Sequence, residues 1–348
     1  MSETYKQIKE ELKKSPKRWL ITGVAGFIGS NLLETLLELD QEVVGLDNFR
    51  TGKRANLLEV QTTVGPERWS RFHFVEGDIT SPKDCHKVMA GVDYVLHQAA
   101  LGSVPQSIED PSEANRINVS GFLNVFEAAK DAKVKRVVYA SSSAVYGDAI
   151  TMPLSEDDIG KPISPYAVNK YVNELYAITF ARNYGLESVG LRYFNVFGKR
   201  QDPNGSYAAV IPRWIEKLLS GGQCSINGDG ETSRDFVHVN NVVQANILAA
   251  TSAPTAANEA YNIGNGGRSS LNELFYHICE GFALYAPEAK INSKAYYAPF
   301  RDGDIRHSQA NIGKAVEKLH YHPEMSVAEG LAQTIMWYSH MYSRELVA

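Results

Sequence analysis

Tyr166 and Lys170 stand four positions apart in the segment Ser164-Pro-Tyr166-Ala-Val-Asn-Lys170. On a helix, residues i and i+4 share a face, so phenol and ammonium would point the same way. A free phenol loses its proton near pH 10, too high for a working base at neutral pH. A cation beside it favours the phenolate and brings that value down. The pair therefore reads as a proton-transfer device. Three hydroxyls, Ser141-Ser142-Ser143, follow an apolar run and precede Ala144-Val-Tyr146-Gly147. At the carboxyl edge of a parallel sheet, where ligands bind, such a hydroxyl could hold an oxygen whose carbon is being oxidised.

A second chemistry is carried by glycine. Gly23-Val-Ala-Gly26-Phe27-Ile28-Gly29 lies between an apolar run and a helical pattern. One glycine allows a sharp turn, another a close approach of backbone to a pyrophosphate, and a third tight helix–sheet packing. The diphosphate would then rest on the helix N-terminus, which identifies a dinucleotide site. Asp47 ends the next apolar run, where a carboxylate accepts hydrogen bonds from the adenosine ribose and repels a 2′-phosphate. NAD is favoured over NADP, although Arg50 and Arg54 lie close by. Asp78, after a third run, is placed to hydrogen-bond the adenine. The positive nicotinamide ring would add to Lys170 in favouring the Tyr166 phenolate.

These residues need a scaffold that brings strand ends together. Apolar runs at Arg18–Thr22, Glu42–Leu46, Phe72–Val75, Tyr94–His97, Arg136–Ala140 and Ser188–Tyr193 alternate with helical patterns. The helical patterns include Gly26–Leu39, Pro111–Ala132 and Ser164–Tyr184. Such alternation predicts an α/β fold, a doubly wound parallel sheet of the Rossmann type. Tyr5, Ile8 and Leu12 predict a short helix before the first strand. After Phe197 the pattern loosens, with Pro203, Pro212 and Gly221-Gly222 as punctuation. Residues 1–197 are expected to form the dinucleotide-binding domain. Residues 198–348 are expected to form a smaller α/β substrate region, interleaved with the first.

Composition narrows the class. The 348 residues carry a net charge of −5, with 44% apolar and 22% charged side chains, as in ordinary globular proteins. No basic, aromatic-rich block points to nucleic acid. No apolar run approaches the roughly 20 residues of a membrane span, and the lysine-rich start lacks the core of a secretory signal. Cys85, Cys224 and Cys279 are scattered and odd in number, which suits a reducing, cytoplasmic setting. His97 and His238 sit in apolar runs as structural residues, and no metal-ligand spacing is present.

Taken together, the chain resembles the extended short-chain dehydrogenase/reductases, and within them the UDP-hexose 4-epimerases. The resemblance is carried by the glycine triplet, His97-Gln-Ala-Ala100, Ser141-Ser-Ser-Ala-Val-Tyr-Gly147, Tyr166-x-x-x-Lys170 and Arg192-Tyr-Phe-Asn195. It continues in Gly228-Asp-Gly-Glu-Thr-Ser-Arg234 and Arg301-Asp-Gly-Asp304. It implies Tyr166 as base, Ser142 as partner hydroxyl and Lys170 as the group that sets the phenol's pKa and holds a ribose. It implies tightly bound NAD, contacted by Gly23, Gly26, Phe27, Ile28, Gly29, Asp47, Asn48, Asp78, Ile79, Gln98, Ala99 and Ala100. It implies substrate contacts at Asn195, Arg234, Arg301 and Asp304, the arginines suiting a diphosphate. It also implies a homodimer through the helices near 111–132 and 164–184.

Several reactions share this scaffold. The related 4,6-dehydratases carry an Asp-Glu pair after the hydroxyl; Ser143-Ala144 stands here. The related UDP-glucuronate decarboxylases carry a glutamate in this stretch, which is absent. Epimerisation remains. Leu101-Gly102-Ser103-Val104-Pro105 and Arg306-His307-Ser308-Gln309 resemble the bacterial subgroup that prefers N-acetylated sugars. In that subgroup a small residue at the place of Ser308 leaves room for a 2-acetamido group. The expected substrates are UDP-N-acetylglucosamine and UDP-N-acetylgalactosamine, with Ser103, Ser143 and Gln201 as further sugar contacts. The alternatives are the corresponding 6-uronic acids, which Arg306 and His307 could favour, and UDP-glucose with UDP-galactose. Beyond these stand a sugar-nucleotide reductase and a non-catalytic NAD-binding regulator.

Overall fold

The structure, a computed structural model, describes residues 2–204, 208–300 and 305–345. Seven strands form one sheet: β1 (Arg18–Thr22), β2 (Glu42–Asp47), β3 (Phe72–Glu76), β4 (Tyr94–His97), β5 (Arg136–Ser142), β6 (Ser188–Tyr193) and β7 (Glu259–Ile263). Every neighbouring pair is parallel, and the spatial order is β7-β6-β5-β4-β1-β2-β3. The order reverses between β1 and β4, so a crevice opens at their carboxyl ends.

The strands are apolar because both faces are covered. Trp19 and Ile21 of β1 pack into one core with Leu32, Leu36 and Ile247. Leu20, between them, packs into the other with Val95, Phe122 and Phe126. The expected first helix forms at Glu3–Lys14, capped by the Ser2 hydroxyl and burying Tyr5 and Leu12. The Gln41 side chain donates to the Leu12 carbonyl at 3.0 Å, which ties this helix down.

Two regions differ from the simplest reading. The pattern expected to give one helix over 111–132 is broken into Pro111–Asn115, a π turn at Arg116–Ser120, and Gly121–Asp131. In that turn Asn118 accepts from the Leu101 amide at 2.7 Å and donates to its carbonyl at 3.1 Å. Past residue 197 the chain returns to the sheet. Helix Val239–Thr251 packs on the sheet and β7 pairs with β6. The helices Val210–Leu219, Leu271–Tyr285 and Val327–Glu345 build a separate core around Trp214, Phe275, Ile278 and Ile335. No described helix is long and apolar enough to cross a membrane.

Candidate active site

The turn after β1 can only be built from glycine. Gly23 has φ +70°, and a Cβ there would lie 2.8 Å from the Ala99 amide nitrogen. A Cβ on Gly29 would stand 2.1 Å from the Gly23 carbonyl oxygen. The helix that follows, Phe27–Glu38, starts at Gly26 without a side-chain cap. Its first N–H groups and its dipole favour an anion there.

Asp47 is buried at the end of β2. Its carboxylate accepts from the amides of Ala25 at 2.9 Å and Phe49 at 2.8 Å. Burial pushes its pKa up, against hydrogen bonds from Phe49, Ala25 and Asn48. Asn48 donates to Asp78 at 2.8 Å. Burial raises Asp78, but hydrogen bonds from Thr80 and Asn48 outweigh it and hold the carboxyl low. Gly23, Asp47, Asn48, Asp78, Ile79, Ala99 and Ala100 line one groove at the crevice. Arg50 lines it too, but pairs with Glu113, and Arg54 pairs with Glu76 at 2.7 Å. A ribose with a free 2′-hydroxyl fits this carboxylate-edged groove, and the bare glycine turn fits a pyrophosphate. Gln98 does not line this groove; its side chain is bonded to Asn246 at 3.0 Å and to the Tyr193 hydroxyl at 3.2 Å.

Helix Pro165–Tyr184 opens with proline at its first position and with Ser164 accepting from the Ala167 amide at 3.2 Å, both favourable helix starts. Tyr166 is half-buried and Lys170 fully buried. The ammonium lies 5.7 Å from the phenol ring centre and donates to the Ala140 carbonyl at 2.6 Å. Ser142, opposite Tyr193 at the end of β5, lines the same cavity as the Tyr166 side chain. Electrostatics differ from the expectation of a lowered phenol. Burial raises Tyr166, with the Ser142 contact opposing it, and burial draws Lys170 down to about 8 against the attraction of Glu174. In the protein alone the desolvation of both groups wins. A further positive charge, such as a nicotinamide ring, is needed to favour phenolate. His97 is held neutral, lowered to about 3 by burial and by Lys170, with Thr22 Oγ1 at 2.7 Å from its Nδ1.

A cavity of about 410 Å³ joins residues far apart in sequence: Ser142, Ser143, Tyr166, Asn195, Arg234 and Ser308 all line it. Among the described residues that line it there is no carboxylate. A second cavity shares Asn195 and Arg234 and adds Arg213, Trp214, Asn227 and Thr232. Ser308 is placed by backbone on both sides. Its amide donates to the Ser233 carbonyl at 3.1 Å, and the neighbouring Gln309 carbonyl accepts from Leu154 at 2.8 Å. Buried Asp235, pushed up to about 6 by burial, accepts from Ala310 at 3.2 Å and secures the same segment.

Two expected contacts stand apart from the cavity lining. The Ser103 hydroxyl caps helix Val104–Glu109, accepting from Gln106 at 3.2 Å. Gln201 donates to the Val196 carbonyl at 3.1 Å. Arg301 and Asp304 lie outside the described residues. Arg306 pairs with Asp229 at 2.6 Å and stacks over Phe300, away from the cavity that His307 lines. Sequence reading passed over Arg213 and Asn227. Asn227 adjoins the Gly228 motif and could have been found; Arg213 sits on an amphipathic helix without any local signal.

Fold and groove define a Rossmann-type dinucleotide-dependent enzyme. The model of the NAD dependent epimerase/dehydratase family matches residues 19–264, and the chain belongs to that family. UDP-glucose 4-epimerase of Mycolicibacterium smegmatis is 36% identical over 324 residues, 92% of this chain and 98% of that protein. UDP-N-acetylglucosamine 4-epimerase from Methanobrevibacter ruminantium M1, solved with UDP-N-acetylmuramic acid, superimposes with a TM-score of 0.84 at 38% identity, over 94% and 99% of the chains. A mutant of UDP-glucuronic acid 4-epimerase from Bacillus cereus, solved with a fluorinated UDP-glucuronic acid and NAD, gives 0.83 at 28% identity, over 93% and 100%. The cofactor is NAD.

Proposed function

We propose that the protein is a 4-epimerase that interconverts UDP-N-acetylglucosamine and UDP-N-acetylgalactosamine through a 4-keto sugar. The observation that carries this reading is the composition of the 410 Å³ cavity: a phenol, a serine pair and Ser308, with no described carboxylate. Dehydration and decarboxylation relatives need an acid there; epimerisation at C4 does not. NAD, when bound, supplies the acceptor and then the donor for the hydrogen at C4. Tyr166 takes the proton of the C4 hydroxyl and later returns it, and Ser142 holds the same oxygen. Lys170 keeps positive charge beside the phenol. Arg234 and Asn195, where the two cavities meet, anchor the UDP moiety while the sugar turns. Arg213 adds a second cation for the diphosphate. Ser308 leaves the volume a 2-acetamido group requires.

His307 in the cavity favours a second reading, in which the 6-uronic acids are substrates. Arg306 does not join it. The homodimer is proposed through the helices near 111–132 and 164–184, the second of which exposes Val168, Leu175, Tyr176, Ile178 and Tyr184. The test incubates purified protein with UDP-N-acetylglucosamine and follows the anomeric signals by proton NMR. The galacto isomer should appear without added cofactor, up to a fixed ratio. No conversion of this sugar, its uronic acid or the plain hexose, even with NAD added, would sink the epimerase reading.

A further inference from the structure

Glu174 is buried on the same helix as the catalytic pair, one turn beyond Lys170 as Lys170 is one turn beyond Tyr166. Phenol, ammonium and carboxylate thus follow one another at i, i+4 and i+8 on one face. The carboxylate is held on two sides. It accepts from Arg192 Nε at 2.9 Å and Nη2 at 2.8 Å, a bidentate pair. It also accepts from the Ser141 hydroxyl at 2.5 Å, the residue before Ser142. Arg192 is fixed in turn by the Tyr146 hydroxyl at 3.1 Å and the Glu156 carbonyl at 2.7 Å. Lys170 itself donates to Ala140, the residue before Ser141. One carboxylate therefore ties the end of β5 to the helix that carries the base.

We propose, resting on the epimerase reading above, that Glu174 is a positioning residue that keeps Lys170 charged and aligned behind Tyr166. The charges around Lys170 leave it this role. On its own helix Lys170 faces Tyr166 and Glu174. From β4 it faces His97, which is neutral. Tyr139 of β5, whose buried phenol stays protonated, and Arg192 of β6, which is paired with Glu174, line a cavity together with Glu174. Glu174 is the one anion among these groups, and its attraction is what opposes the desolvation of the Lys170 ammonium. Without it the ammonium gives up its proton at lower pH, and the phenol beside it loses the cation that favours phenolate.

The test reads Tyr166 directly, without substrate. The ultraviolet phenolate band is titrated in NAD-saturated protein as the difference between a protein and its Tyr166→Phe counterpart. In Glu174→Gln the Tyr166 midpoint should rise by about one pH unit, with Glu174→Asp restoring most of it. An unchanged midpoint in folded Glu174→Gln overturns the proposal and leaves Glu174 a structural residue. Should that variant fail to fold because Arg192 is left buried and unpaired, Glu174→Gln/Arg192→Met removes both charges. A smaller upward shift is expected there, and its absence is equally fatal. Failure of the epimerase reading looks different: wild-type protein would convert no UDP-hexose, while the midpoint comparison would still stand.

Discussion

Adding one methyl group at Gly29 tests the cofactor turn. The new Cβ would lie 2.1 Å from the Gly23 oxygen, 2.8 Å from its carbonyl carbon and 2.9 Å from Val24 Cα. Ordinary C···O contacts start near 3.3 Å, so the shortfall is about 1.2 Å. All three atoms are backbone, so no side chain can swing aside; turn and helix must separate. Overpacking of this kind costs roughly 1–3 kcal/mol. The same movement displaces the N–H groups at the start of helix Phe27–Glu38. A lost hydrogen bond to a charged group is worth about 1.5–3 kcal/mol, at least a tenfold loss in NAD affinity. Gly29→Ala should therefore melt several degrees lower and purify with little NAD, read from its absorbance at 260 nm against 280 nm. Full NAD occupancy with a melting temperature within about 1 °C of wild type would refute the argument from close approach.

Lys170 makes a linkage prediction. Its folded value of about 8 lies below the free value of 10.5, so between them the unfolded chain holds more protons. Wild-type stability should then rise relative to Lys170→Met from about pH 8 to 10.5, by about 3 kcal/mol in all; parallel denaturation curves across that range would contradict the depressed value. Tyr166→Phe should lose about 10²–10⁴ in kcat while retaining NAD, and a variant that stays within threefold of wild type removes Tyr166 as the base. Ser308→Tyr should abolish turnover of the N-acetylated sugars and spare UDP-glucose; equal loss on both would show that Ser308 does not set the width of the cavity.

Much of this site is legible in the sequence because its parts are local. The spacing of Tyr166 and Lys170 becomes a shared helix face through backbone geometry alone, and Ser164-Pro165 marks where that helix begins. The glycine triplet encodes its own turn, since Gly23 needs a positive φ and Gly29 has no room for a side chain. Alternating apolar runs likewise specify a parallel sheet, whichever segments later cover it.

Tertiary structure decided what depends on distant segments. Ser308 shares a cavity with Tyr166 because Ser233, Leu154 and Asp235 hold the backbone of its segment. Gln98 turns inward because Asn246 and Tyr193 offer partners. The π turn at 116–120 and the return of β7 to the sheet have no short-range signature. The protonation of Tyr166 and Lys170 also had to wait for the fold. Spacing fixes which charges can meet, but burial sets what it costs to keep them charged, and burial belongs to the packed whole.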